Sequence, residues 1–75
     1  MDLKIAIRKI TDDYDVCDGE IADPAVAVRE ARELWPTRER CHQEVNDWGL
    51  DDTDLATAYH TVIDASDAEI ARALT

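Results

Sequence analysis

The residues able to do chemistry are few: Cys17, Cys41, His42, His60, Ser66 and a run of carboxylates. The stretch TDDYDVCDGE, residues 11–20, holds five acids and no base. A calcium loop of the EF-hand kind needs oxygen ligands at positions 1, 3 and 5, glycine at 6 and glutamate at 12. Counted from Asp13, position 5 is Cys17 and position 6 is Asp18; with Gly19 set at position 6, Tyr14 and Val16 fall at positions 1 and 3. Neither register supplies a calcium site. Zinc fares no better, because no C-x-x-C is present and adjacent Cys41 and His42 point about 100° apart on a helix. The plain reading is a buried Cys41 thiol and a surface His42 imidazole. Nucleophilic catalysis needs a base beside the nucleophile. A Cys41–His60 pair across two helices has no spacing that demands it, and Ser66 is explained as a helix cap. Paired-carboxylate catalysis needs one acid in a pocket that raises its pKa, whereas these acids fall in turns and first helical turns. Only two glycines occur, so there is no phosphate loop. No catalytic residue, metal ligand or cofactor is assigned, and the chain is read as not an enzyme.

The elements that must carry these residues follow from periodicity. In MDLKIAIRKI, Leu3, Ile5 and Ile7 alternate with Asp2, Lys4 and Arg8, the period of a strand. Ile10 is out of phase, Tyr14 and Val16 resume the alternation, and Asp18-Gly19 and Thr11-Asp12-Asp13 are turn signals. A β-hairpin or short meander is therefore expected within residues 2–22. Asp23-Pro24 starts a helix with the apolar stripe Ala27, Val28, Ala31, Leu34 and Trp35, stopped by Pro36. Thr37 caps a second helix to about Trp48, with a thin stripe of Cys41, Val45 and Trp48, and Gly49 ends it. Asp51 or Asp52 caps a third helix, where Leu55, Tyr59, Val62 and Ile63 form one face. Ser66-Asp67-Ala68-Glu69 is a capping box that opens a terminal helix burying Ile70 and Leu74. The expected architecture is α+β: one domain over residues 1–75, with a β-hairpin region (1–22) packed with three to four helices (23–75).

Seventy-five residues make a single small core and leave little material for a deep cavity. A homodimer would add burial. No apolar run has the length of a membrane span. The alternating N-terminus has no signal-peptide core, so a cytoplasmic location with reduced cysteines is expected.

Eighteen acids against eight bases give a net charge of −10. The excess sits in residues 10–28 (−6) and 41–75 (−7), while residues 1–9 carry +2 and residues 29–40 carry +1. Direct nucleic-acid binding needs the opposite sign, and an anionic membrane would repel the chain. Several acids serve helix N-termini: Asp23, Asp51, Asp52, Asp54, Asp67 and Glu69. The run Asp12, Asp13, Asp15, Asp18 and Glu20 has no such local use, and its self-repulsion opposes folding.

TDDYDVCDGE and LDDTD (residues 50–54), in a short acidic chain without a catalytic motif, resemble the small acidic inhibitors encoded by phages and mobile elements. Anti-CRISPR proteins and other DNA mimics belong to that group. The resemblance covers the whole chain and is one of composition. It implies a non-enzymatic inhibitor that occludes the nucleic-acid-binding surface of a basic partner, such as a CRISPR surveillance or nuclease complex, in the host cytoplasm. Carboxylates one helical turn apart have Cβ atoms about 5–6 Å apart, a spacing that basic side chains built for phosphates can meet. The partner-binding set expected is Asp12, Asp13, Asp15, Asp18 and Glu20, with Asp51, Asp52 and Asp54 as a second cluster and Trp48 as an apolar anchor. The alternative is a structural or regulatory interaction domain that binds a protein through an apolar helix face near Trp48, its acidity serving solubility or life in high salt.

Overall fold

The N-terminal segment is a helix rather than a strand, and this changes the fold class. In the computed structural model, α1 runs Leu3–Asp18, α2 Pro24–Arg32, α3 Arg38–Asp47, α4 Thr53–Asp64 and α5 Asp67–Leu74. The structure describes residues 1–18, 23–33 and 35–75, with side chains described for 1–13, 23–33 and 35–75. Among the described residues there is no strand. The expected α+β layout is thus corrected to an all-helical one, and the hairpin over 2–22 is replaced by α1 as far as Asp18. Gly19, Glu20, Ile21, Ala22 and Leu34 lie outside the described residues.

The physical reason is an ambiguity of period. Leu3 and Ile7 are four residues apart, and that separation returns to the same face both in a strand and, nearly, in a helix. The deciding residues are Ala6 and Ile10, both fully buried, and Ile5, which is 54% exposed. A stripe of Leu3, Ala6, Ile7 and Ile10 is helical, and the Ile10 that broke the alternation is in phase with it. Thr11, inside the former turn signal, continues the buried face, and its hydroxyl donates to the Ile7 carbonyl at 2.8 Å. Asp2 starts the helix by accepting from the Lys4 and Ile5 amides.

The later boundaries form as local chemistry dictates. Asp23 accepts from the Ala25 amide, with Pro24 in the first turn. Thr37 accepts from Arg40, and Asp52 accepts from Asp54 and Leu55. Ser66 and Glu69 close a reciprocal capping box. The Ser66 amide and hydroxyl hold the Glu69 carboxyl below the usual glutamate range. Gly49 takes φ 62°, the left-handed turn that releases the chain from α3.

Packing turns these helices into one body. α4 is the central element: it touches α1, α3 and α2, while α5 rests on α1. The core joins Ile7 and Ile10 of α1, Val28 of α2, Val45 of α3, Val62 and Ile63 of α4, and Ile70 of α5. The radius of gyration is 11.4 Å, which matches the ~11 Å of a well-packed chain of this length. Three residues expected in the core lie at its edge instead. Ile5 faces outward, Trp35 is 41% exposed beneath the Arg40 guanidinium at 5.2 Å, and Leu74 is 37% exposed. Cys41 is fully buried as expected, its thiol lying 3.5 Å from the Trp35 carbonyl. No described helix is long and apolar enough to cross a membrane.

Candidate functional site

Two polar regions flank α4, one on its α1 side and one on its α3 side. On the α1 side, Asp12 and Asp13 meet Asp52 around a shallow concavity of about 270 Å³, lined also by Lys9 and Leu55. The fold thereby brings together members of the two acid clusters that the sequence keeps apart. The geometry arises because the middle of α1 packs on α4, so that its acids reach the turn before Thr53. Asp12 is exposed, while Asp13 is half-buried and accepts from the Tyr59 hydroxyl at 3.4 Å. Asp52 is partly committed as the cap of α4, accepting from two amides at 3.0 and 3.2 Å. Asp51 and Asp54 are exposed on either side of it in sequence. Asp15 and Asp18 lie on α1, but their side chains, like Glu20, fall outside the described residues. The acids of this cluster that are described sit on a helix, so the turn expected at Thr11-Asp12-Asp13 is corrected accordingly.

Trp48 ends α3 and is 40% exposed. Its ring meets the buried Tyr59 ring edge-on, with centroids 5.3 Å apart. One face is therefore anchored and the remainder is open. Among the described residues Arg32 pairs with Asp67 at 3.0 Å, and His42 lies 2.7 Å from the Asp64 carboxylate, an ion pair when the imidazole carries a proton. Most of the acids are not neutralised by the protein's own bases, and the surface potential is strongly negative.

The second region is a seam of four side chains between α3 and α4. His42 Nδ1 lies 2.6 Å from His60 Nδ1. His42 Nε2 lies 2.7 Å from the Asp64 carboxylate, and His60 Nε2 lies 3.1 Å from Asn46 Oδ1. The two rings lie edge to edge, within 20° of one plane, with centroids 4.8 Å apart. Residue 42 meets 64 and residue 46 meets 60, so the helices run antiparallel. Each contributes a histidine and an Asx four residues later, in HQEVN (42–46) and HTVID (60–64). Removal from water and the facing His42 charge hold the His60 imidazole below its ordinary range, against the pull of Asp64.

The sequence reading placed His42 in water and missed this pairing. A signal was available: two histidines, each with an Asx one turn onward on the same face, on helices joined by a short turn. The Cys41–His60 pair that no spacing demanded does not form. Cys41 points to the carbonyls of Arg32 and Trp35, while His60 points to His42 and Asn46. Among the described residues no three His, Cys, Asp or Glu side chains converge as a metal site.

No protein-family model matches the chain, and neither a curated protein nor a solved structure is similar to it at a significant level. The class that fold and surface define is thus a small acidic domain with five helices among the described residues.

Proposed function

We propose that this domain is a non-enzymatic binding protein that covers the nucleic-acid-binding surface of a basic protein partner. The observation that carries this reading is the convergence of Asp12, Asp13 and Asp52 on one concavity at the α1–α4 junction, with three carboxylates there against the single ammonium of Lys9. A patch assembled from two helices holds its charges at fixed separations. A partner's Lys and Arg side chains then meet a preformed field, which speeds encounter and favours basic partners over others. The inhibitor role follows from the same charge. A surface that satisfies phosphate-binding residues prevents phosphate from reaching them.

The test is capture from the native host's lysate, with wild-type and an Asp12→Lys/Asp51→Lys variant as paired baits and graded salt elution. Neither residue caps a helix in this structure, so the variant is expected to fold with an equal or higher melting temperature. A nucleic-acid-handling protein held by wild-type, released as salt screens the contact and absent from the variant supports the proposal. Equal recovery on both baits ends it. The second reading, apolar docking at Trp48, draws on the 40% exposure of that ring. It predicts a partner that survives high salt and is lost from a Trp48→Ala bait.

A further inference from the structure

The seam between α3 and α4 has a proton inventory that the hydrogen bonds themselves define. Asp64 is a carboxylate acceptor, so His42 presents Nε2–H to it at 2.7 Å. Asn46 presents Oδ1, so His60 presents Nε2–H at 3.1 Å. A neutral imidazole has one N–H, and both are now spent. Two Nδ1 lone pairs would then face each other at 2.6 Å. That approach is attractive only with a proton between them. In this arrangement the two rings share one extra proton, and Asp64 is the counter-ion.

A second bonded arrangement differs by one proton. Turned end for end, the Asn46 amide offers Nδ2–H to His60 Nε2. His60 then donates Nδ1–H to His42 Nδ1, His42 donates Nε2–H to Asp64, and both rings are neutral. The amide turn is sterically almost silent, because oxygen and NH₂ have nearly the same size. A third state has no bonded solution. With two extra protons, Nδ1–H points at Nδ1–H, and two positive rings stand edge to edge at 4.8 Å between centroids.

We propose that His42, His60, Asp64 and Asn46 form a proton-gated latch. It joins α3 to α4 with no extra proton or with one, and parts when the second enters. Asn46 follows the first proton by turning its amide, and Asp64 balances the charge that this proton brings. On the α3 side the apolar contacts left to resist the loss are the buried Cys41 and Val45 and the edge-on Trp48–Tyr59 pair. The charged groups acting on His60 are His42 from α3 and Asp64 from its own helix. On α1, the other main neighbour of α4, Asp13 is turned to Tyr59. On α2, Arg32 is turned to Asp67 of α5. A metal ion in place of the shared proton would need a third ligand, and among the described residues none converges with the two rings.

The deciding experiment is imidazole ¹⁵N NMR with amide hydrogen exchange, from pH 8.5 down to 4, on wild-type and His42→Gln. In wild-type the two rings take up protons in coupled steps whose affinities differ by more than about tenfold. Both Nδ1 signals move in the first step. As the second proton enters, protection of α3 amides falls at least tenfold relative to α1. In His42→Gln, His60 titrates in a single step, and the selective loss in α3 disappears. Independent titration of the two rings in wild-type overturns the proposal. So does protection lost equally in α1 and α3, a comparison that needs no variant and stands even where the substitution impairs folding.

Discussion

α4 is held on two sides by different physics. Toward α1 the contact is apolar at its centre, with Ile7 and Ile10 buried and carboxylates confined to the rim. Toward α3 the buried contribution is Cys41 and Val45, the Trp48 ring meets Tyr59 edge-on, and four polar side chains complete the seam. Apolar burial is non-directional and has no proton to lose. A hydrogen-bonded chain of imidazoles is directional and changes with every proton. The same helix therefore has one junction indifferent to mild acid and one governed by it. The difference also separates two tasks: the stable junction displays the acid face, and the titrating one is free to open.

The largest effect that would sharpen this contrast is at the stable junction. Ile10→Ala removes a fully buried side chain and is expected to cost about 2–5 kcal/mol. Urea unfolding measures it, and the cost should be the same at pH 5.5 and pH 7.5. A cost that varied with pH would show the α1 junction to be coupled to protonation as well, and the comparison would fail.

Next is His60→Gln, which removes hydrogen bonds worth about 0.5–1.5 kcal/mol each at neutral pH. The sign with pH follows from the lowered His60 pKa. The folded chain binds this proton less readily than the unfolded chain. Wild-type therefore keeps the full contribution above the ordinary histidine range, near pH 6.5, and loses it as pH falls through the folded-state value. The gap between wild-type and His60→Gln should narrow on acidification, and a gap that widens would contradict the seam's geometry.

Gly49→Ala tests the turn that brings α3 back onto α4. A Cβ there meets nothing within 4 Å, so the cost comes from φ 62° alone and is expected at about 1–2 kcal/mol. The smallest effect is from salt. Raising ionic strength screens repulsion among the exposed acids and should lift the melting temperature of wild-type by more than that of Asp12→Lys/Asp51→Lys. Equal gains would mean that the α1–α4 rim carries no concentrated charge. A wild-type that unfolds altogether in low salt would assign the acidity to life in high salt rather than to binding.

Much of this fold is legible in the sequence. Asp23, Thr37, Asp52 and Ser66 mark the starts of four helices, and each does so through a bond to an amide at most three residues away. Gly49 marks an end by its own φ. The buried faces of α2 and α4 and the burial of Cys41 followed from period and apolarity. The N-terminal segment was misread because Leu3, Ile5 and Ile7 alternate and Ile favours strands in isolation. The weaker signal of Ala6 and Ile10 was the correct one. The histidine seam was missed because its members are 14 to 22 residues apart in sequence, with only the two His–Asx spacings to mark them.

The sequence by itself determined where the helices after residue 23 begin, that Gly49 closes α3, and the sign and size of the surface charge, whereas α2 stops at Arg32, short of the Pro36 that was read as its end. Those properties reside in single residues or in neighbours within one turn, and need no distant partner. Tertiary structure alone decided that α1 is a helix, that Asp12 and Asp52 share a rim, and that His42 meets His60. A period compatible with two conformations is resolved only by which face finds an apolar partner, here α4. Side chains on different helices meet only once packing has set the helices' register.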